Sequence, residues 1–144
     1  MQDFVIGSDH AGFNMKEEIK AYLRGKGFNV QDLREERQEV IPFAPVACEA
    51  GRSILERDGA IGILVCGTGA GMAIAANRKK GIRASILYDD FTAEYSRRHN
   101  NANILVFGSR TMRLDDVCRR IDIFLSHSFE GGKYEERMRA ADLE

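Results

Sequence analysis

Residues 61–71 read Ile61-Gly62-Ile63-Leu64-Val65-Cys66-Gly67-Thr68-Gly69-Ala70-Gly71. The continuous apolar run over 61–66 is typical of a strand that is covered on both faces, as in a parallel sheet. Three glycines within the next five residues allow a tight bend and present backbone N–H groups to an anion where a helix begins. These residues therefore predict a buried strand that leads through an anion-binding loop into a helix.

Short β-rich segments alternate with longer helical segments on both sides of this region. We predict strands at 4–8, 28–32, 61–66, 82–88 and 104–107, and helices at about 14–26, 45–58, 72–77, 91–99, 114–126 and from 133 onwards. Alternation at this spacing is typical of right-handed βαβ units, which form a parallel sheet with helices on both faces. No linker or repeat interrupts the pattern, so we expect residues 1–144 to form a single domain.

Composition narrows the class of protein. The 144 residues include 21 basic and 22 acidic side chains, and this balance argues against nucleic acid as the main partner. No apolar run approaches the roughly 20 residues that span a bilayer, and residues 1–3 lead into a strand without a basic signal-peptide region. Cys48, Cys66 and Cys118 lack the spacing of a disulfide framework or a structural zinc site. We therefore expect a cytoplasmic protein that acts neither on nucleic acid nor in a membrane.

The loops that follow the strands are the candidate ligand site, because α/β folds bind ligands outside the carboxyl ends of their strands. Asp9 and His10 follow the first strand, and Arg110 follows the fifth. The glycine loop lacks the Gly-Lys-Ser/Thr of a P-loop and the third glycine of a dinucleotide fingerprint. Asp89 nevertheless lies at a suitable spacing to bind a ribose hydroxyl, so nucleotide binding remains an alternative at this point.

Cys66 differs from the other two cysteines in its position. It ends the central strand, where its thiol would face the ligand crevice and the following helix N-terminus would stabilise a thiolate. Cys48 and Cys118 fall inside helical patterns, and we expect both to be small buried hydrophobic residues. Lys133 and Arg137 share one helix face, which taken alone predicts a solvated surface with ordinary ion pairs to Glu136 and Asp142.

Taken together, several segments resemble the ribose-5-phosphate isomerase B family, which includes allose-6-phosphate and galactose-6-phosphate isomerases. They are 7–12, 66–71, 75–77, 81–84, 99–103, 108–110 and 130–132. The resemblance implies a Rossmann-like three-layer α/β/α sandwich on a five-stranded parallel sheet, with no metal or organic cofactor. It also implies a homodimer, with a tetramer as the alternative, whose subunits share active sites that bind a phosphorylated sugar.

The resemblance further implies roles for individual residues. Cys66 would be the base that moves a proton between C1 and C2, His99 would help to open the sugar ring, and Thr68 would join them as a catalytic residue. Substrate contacts would come from Asp9, His10, Gly67, Thr68, Gly69, Ala70, Gly71, Asn100, Arg110, Lys133 and Arg137. A base beside a cluster of hydrogen-bond donors suits an aldose–ketose isomerase, because the reaction passes through an enediolate.

The chain departs from the family pattern at two places. Lys133 replaces the usual arginine and provides a point charge instead of a bidentate fork. Val40-Ile41-Pro42-Phe43-Ala44-Pro45 replaces an Asp-Tyr-Pro loop that we expect near the crevice. Interconversion of ribose 5-phosphate and ribulose 5-phosphate is the best single expectation. A tetrose or hexose phosphate, or a non-catalytic sugar-phosphate or nucleotide binder, is the alternative, although intact Cys66 and His99 argue against a mere binder.

Overall fold

Strands and helices alternate along residues 1–142, which are the residues that the computed structural model describes. The strands are β1 (Asp3–Ser8), β2 (Asn29–Asp32), β3 (Ile61–Cys66), β4 (Ala84–Ile86) and β5 (Ile104–Gly108). The helices are α1 (Phe13–Gly25), α2 (Phe43–Glu56), α3 (Ala70–Ala76), α4 (Asp90–Arg98), α5 (Leu114–Leu125) and α6 (Lys133–Ala140). Over this range, no helix is long and apolar enough to cross a membrane.

All strands in the sheet are parallel, in the order β2-β1-β3-β5-β4. β3 lies at the centre and is buried along its whole length, which confirms the prediction from its continuous apolar run. β4 is shorter than the predicted 82–88, because it is an edge strand that pairs only with β5. The side-chain amide of Asn77 forms two hydrogen bonds with the Ala84 backbone in place of a second neighbouring strand. Its Nδ2 donates to the Ala84 carbonyl oxygen at 2.9 Å, and its Oδ1 accepts from Ala84 N at 2.8 Å.

Side chains that alternate along β3 form two separate cores, one on each face of the sheet. Ile63 and Val65 pack with α1, α4 and α5. Leu64 and Cys66 pack with α2 and α3 on the other face. This arrangement confirms the three-layer α/β/α sandwich, since every second residue of a strand points to the same face.

The expected burial of Cys48 and Cys118 is wrong. Cys48 is exposed on α2, and Cys118 is only half-buried on α5. The buried residues of α2 include Ala47 and Ala50, and Cys48 lies between them in sequence. Because each residue turns the helix by about 100°, the Cys48 side chain lies on the outer side of the helix, away from the sheet. Burial, together with the nearby carboxylate of Asp122, raises the pKa of Cys118 to about 11.

The connections of the sheet place different segments at its two edges. Ser8, Cys66 and Gly108 end their strands at what we call the carboxyl edge. Each helix runs back, antiparallel to the strands that it connects, so α4 ends at the opposite edge, which we call the amino edge. The backbone N–H of Gly62, at the start of β3, donates to the Asn103 carbonyl at 2.8 Å, so the turn after α4 lies at the amino edge.

Candidate active site

Cys66 occupies the carboxyl edge at the centre of the sheet, where its side chain is 5% exposed. Its Sγ accepts a hydrogen bond from the backbone N–H of Gly69 at 3.2 Å. Gly69 has a φ of 90°, a conformation that glycine adopts readily, and it directly precedes α3. The thiol therefore lies beside the start of α3, as predicted, with a backbone N–H directed at the sulfur.

Backbone contacts hold the glycine loop against the loop that follows β5. Ser109 N donates to the Cys66 oxygen at 2.8 Å, and Arg110 N donates to the Gly67 oxygen at 2.9 Å. Gly108 lies so close that a Cβ added there would be 2.6 Å from the Thr68 carbonyl oxygen. The loop around Cys66 is therefore a packed element rather than a flexible turn.

Asp9 and His10 reach the same edge from β1. The Asp9 carboxylate accepts a hydrogen bond from Gly12 N at 2.8 Å and closes the turn into α1, so part of its role is structural. The imidazole Nδ1 of His10 lies 3.2 Å from Ile41 N. The same Nδ1 lies 3.3 Å from the Ile41 carbonyl oxygen, so it binds the Ile41 backbone as acceptor or as donor according to the tautomer. Among the described residues no hydrogen bond involves Nε2, which can therefore bind a ligand.

Two more predicted residues border the loop. Thr68 is exposed, and its Oγ1 accepts a hydrogen bond from Ala70 N at 3.2 Å, which leaves its hydroxyl proton available to a ligand. The Arg110 guanidinium lies beside the loop, with Nη1 3.5 Å from the position that a Cβ on Gly67 would occupy. We call the full set at this edge the carboxyl-edge cluster: Asp9, His10, Gly67, Thr68, Gly69, Ala70, Gly71, Arg110 and Cys66.

Phe43 is a neighbour of this cluster that the sequence analysis did not single out. Its ring lies 3.2 Å from the position that a Cβ on Gly71 would occupy, and the side chain is 41% exposed. Together with the contact of Ile41 to His10, this confirms that the unusual 40–45 segment lies near the crevice. The sequence does show an aromatic residue directly after Pro42. Its contact with Gly71 could not be predicted, because the two residues are far apart in sequence.

The remaining predicted residues form a second group, the amino-edge cluster, made of His99, Asn100, Lys133 and Arg137. The His99 ring follows α4 and stacks on the Tyr134 ring of α6, with centroids 3.8 Å apart and planes 9° apart. The Lys133 Nζ lies 5.2 Å and the Arg137 Cζ 5.3 Å from the centre of that same ring.

Two of the three cations of α6, Lys133 and Arg137, are exposed but, among the described residues, lack the ion pairs expected of a solvated surface. Within residues 1–142, neither Lys133 nor Arg137 forms an ion pair, and the pairs expected from Arg137 to Glu136 and Asp142 are not made. Arg139 lies on a different side of the same helix, where it forms an ion pair with Glu135 at 3.0 Å. The two cations next to Tyr134 can therefore bind an anion such as a phosphate.

The two clusters do not meet within one chain. Cys66 ends β3, whereas His99 lies in the turn that packs against the start of β3. The six residues of β3 separate them by about 17 Å at the usual rise of a strand. One chain therefore presents two partial sites at opposite edges of its sheet.

Asp89, the feature that favoured a dinucleotide site, serves the fold instead. Its carboxylate accepts hydrogen bonds from Thr92 N at 2.6 Å and from Thr92 Oγ1 at 2.8 Å, which forms a capping box at the start of α4. The backbone hydrogen bond from Thr92 lowers the pKa of Asp89. Among the described residues, no cluster of three or more His, Cys, Asp or Glu side chains could hold a metal ion.

Comparison with known proteins gives one consistent assignment. The ribose/galactose isomerase family matches residues 4–141. Ribose-5-phosphate isomerase B of Escherichia coli is 38% identical, with 97% of this chain and 94% of that protein covered. The crystal structure of a ribose 5-phosphate isomerase from Thermotoga maritima superposes with a TM-score of 0.94 at 44% identity, covering 97% of both chains.

A further structure contains a ligand. Ribose-5-phosphate isomerase B from Mycoplasma genitalium, with bound ribulose-5-phosphate, matches with a TM-score of 0.90 at 33% identity and covers 99% of this chain and 98% of its own. The family match and the full-length similarity agree with the segments that carried the resemblance. The chain therefore belongs to the ribose/galactose isomerase family.

Proposed function

We propose that this protein is a sugar-phosphate isomerase that interconverts ribose 5-phosphate and ribulose 5-phosphate, with Cys66 as the base. The observation that carries the proposal is the position of the Cys66 thiol. It lies at the carboxyl edge, 3.2 Å from the Gly69 N–H, inside a packed glycine loop. Asp9 and His10 follow β1 at the same edge of the sheet, so further hydrogen-bonding groups lie on the side where the base is needed.

The chemistry of the carboxyl-edge cluster follows from this geometry. In the open-chain aldose, the Cys66 thiolate takes the proton from C2 to give an enediolate. The O2 hydroxyl proton moves to O1, and the thiol returns a proton to C1 to give the ketose. The loop amides stabilise negative charge on the enediolate oxygens without reorganisation. Thr68, whose Oγ1 already accepts from Ala70 N, donates its hydroxyl proton to a sugar oxygen.

The amino-edge cluster of a second subunit completes the site in this proposal. His99 opens the ring, Asn100 lies beside the enediolate, and Lys133 and Arg137 bind the phosphate. A separation of about 17 Å within one chain supports a shared site, because a pentose phosphate is too short to contact both clusters of the same subunit. Exposed Ile74, Tyr88 and Phe91 provide apolar surface of the kind that subunit contacts cover.

The identity of the sugar is a separate part of the proposal from the reaction type. The M. genitalium relative with bound ribulose-5-phosphate favours a pentose phosphate. The Phe43 ring beside Gly71 belongs to a segment that departs from the family pattern, and it supports a different sugar phosphate, of four or six carbons, as the second candidate. Isomerisation through Cys66 is common to both candidates.

A panel of phosphorylated aldoses and ketoses, followed by NMR in deuterated water, tests the proposal. We expect fastest interconversion for ribose 5-phosphate and ribulose 5-phosphate, with solvent deuterium incorporated at C1 or C2 and no need for NAD. Faster conversion of a tetrose or hexose phosphate would replace the substrate but keep the reaction. Tight binding of these ligands without any conversion would identify a non-catalytic binder instead.

A further inference from the structure

The His99 imidazole lies in an aromatic and acidic cage built by its own chain. Tyr134 covers one face of the ring at 3.8 Å and almost parallel. Tyr95, one turn earlier on α4, contacts the ring edge-on with centroids 4.7 Å apart. The Glu130 Oε2 lies 3.5 Å from His99 Nε2. These contacts restrict the tilt of the ring and place a carboxylate beside one of its two nitrogens.

Glu130 is itself held in place. Its Oε2 accepts a hydrogen bond from Arg98 Nε at 2.7 Å, and its backbone N–H donates to the Arg98 carbonyl at 3.0 Å. Arg98 is fixed in turn, because its Nη1 donates to Glu94 at 2.6 Å. With Nε2 facing Glu130, the other ring nitrogen, Nδ1, is the one that His99 can present to a sugar.

Tyr134 also connects His99 to the phosphate-binding residues. None of the side chains of α6 is fully buried, so a few contacts fix its position. One is the stack of Tyr134 on His99, and another is the approach of Met138 Sδ to Asn100 Nδ2 at 3.6 Å. Lys133 and Arg137 flank the same tyrosine ring, so the imidazole and both cations are positioned relative to one side chain.

We propose that Tyr134 and Glu130 are positioning residues that hold His99 for opening of the sugar ring, an inference that rests on the proposed function. Opening breaks the C1–O4 bond, transfers the O1 proton to O4 and leaves an aldehyde at C1, with no oxidation or reduction. Because the Glu130 carboxylate can only accept, Nε2 carries the ring proton of the neutral imidazole. The bare Nδ1 takes the proton from the O1 hydroxyl and passes it to O4 as the C1–O4 bond breaks. Such transfers depend steeply on the position of the donor atom.

Substrate chemistry separates this role from a general structural one. Ribose 5-phosphate is mostly a cyclic hemiacetal and must open before C2 can lose its proton. Ribulose 5-phosphate cannot close a furanose ring, because its O5 carries the phosphate. Its C1 proton therefore exchanges with solvent through Cys66 without any ring opening. Loss of His99 positioning should slow the first process and spare the second.

The test compares Tyr134→Leu, Tyr134→Phe and Glu130→Gln, with Glu135→Gln as the matched control on the solvent side of α6. For Tyr134→Leu and Glu130→Gln we expect kcat with ribose 5-phosphate to fall about tenfold. With ribulose 5-phosphate at saturation, so that weaker phosphate binding does not affect the rate, deuterium exchange at C1 should stay within about twofold of the wild type. Tyr134→Phe keeps the stacked ring and Glu135→Gln leaves the cage intact, so both should behave as wild type.

NMR of the His99 ring protons tests the arrangement without reference to activity. The Tyr134 ring current should shift these signals upfield in the wild type and in Tyr134→Phe, and the shift should disappear in Tyr134→Leu. Equal losses in the ribose and ribulose assays, or an unchanged His99 signal in Tyr134→Leu, would overturn the positioning role. If His99→Ala itself slowed both assays equally, the ring-opening role that the proposed function gives to His99 would be wrong.

Discussion

Cys66 and His99 lie at opposite edges of one parallel sheet, about the length of β3 apart. Cys66 ends the central strand, whereas His99 follows a helix that has run back along the sheet. If both residues act on one sugar, the sugar must be bound between two chains. A two-fold dimer satisfies this condition, because it places each edge of one subunit against the opposite edge of the other and forms two identical sites.

The first prediction concerns the base. Cys66→Ser keeps the size of the side chain but replaces the thiol with a hydroxyl, which is a far weaker acid and scarcely ionises near neutral pH. We expect kcat to fall at least about 100-fold while ribulose 5-phosphate still binds. Cys48→Ser, at the exposed cysteine of α2, is the control and should keep full activity. A Cys66→Ser protein that turns over at a near-normal rate would exclude the thiol as the base.

Phosphate anchoring by α6 gives the second prediction. Arg137→Ala should weaken binding of ribulose 5-phosphate by about 2 kcal/mol, the scale of a lost charge-assisted hydrogen bond. Calorimetric titration should show little change for unphosphorylated ribulose. Arg139→Ala removes the same charge from a side chain that pairs with Glu135 and is 75% exposed, so it should leave both affinities unchanged. Equal losses for the two ligands in Arg137→Ala would make Arg137 an ordinary surface residue.

The third prediction tests the packing of the glycine loop. A Cβ at Gly108 would lie 2.6 Å from the Thr68 backbone, so Gly108→Ala must displace the loop that carries Cys66. We expect a loss of about 1–3 kcal/mol in the free energy of unfolding, with reduced kcat. Gly25→Ala is the matched control, because no atom lies within 4 Å of the added Cβ. Similar unfolding curves and activities for the two variants would show that the loop tolerates displacement.

The fourth prediction concerns pH and stability. The side chains of Lys16 and Asp32 are fully buried as an ion pair, with Nζ 2.8 Å from Oδ2. Burial alone would raise the pKa of Asp32, but hydrogen bonds from Lys16, Lys20 and Arg34 N outweigh it and hold the pKa below its usual value. A depressed folded-state pKa stabilises the protein above the unfolded pKa of about 3.9 and loses this effect as the pH falls further.

Asp32→Asn should therefore reduce the free energy of unfolding by about 3 kcal/mol near pH 7, because Lys16 is left buried without its carboxylate. In urea titrations the difference from wild type should shrink as the pH falls below about 4. Asp3→Asn weakens the exposed pair with Arg57 and keeps an oxygen that can accept from Asn29 Nδ2, so it should change stability by less than about 0.5 kcal/mol at either pH. A constant difference for Asp32→Asn at every pH would contradict the role of its charge.

Local patterns predicted most of the fold and the position of the glycine loop. The apolar run of 61–66 defined the bounds of β3, and the glycines after Cys66 identified the loop at its end. Burial within a helix was predicted less well, as the exposed Cys48 shows, because it depends on which side of the helix meets the sheet. The stack of Tyr134 on His99 and the contact of Phe43 with Gly71 were not predicted, because each joins segments far apart in sequence.

Complementation between two inactive variants tests most directly whether Cys66 and His99 act together across a subunit interface. Cys66→Ala and His99→Ala proteins are unfolded together, refolded as an equal mixture and checked by mass for mixed dimers. Each mixed dimer then has one site with both defects and one intact site. Since about half of randomly paired dimers are mixed, roughly a quarter of the wild-type activity on ribose 5-phosphate should return. No recovery, with mixed dimers present, would contradict a shared site and place catalysis within one subunit.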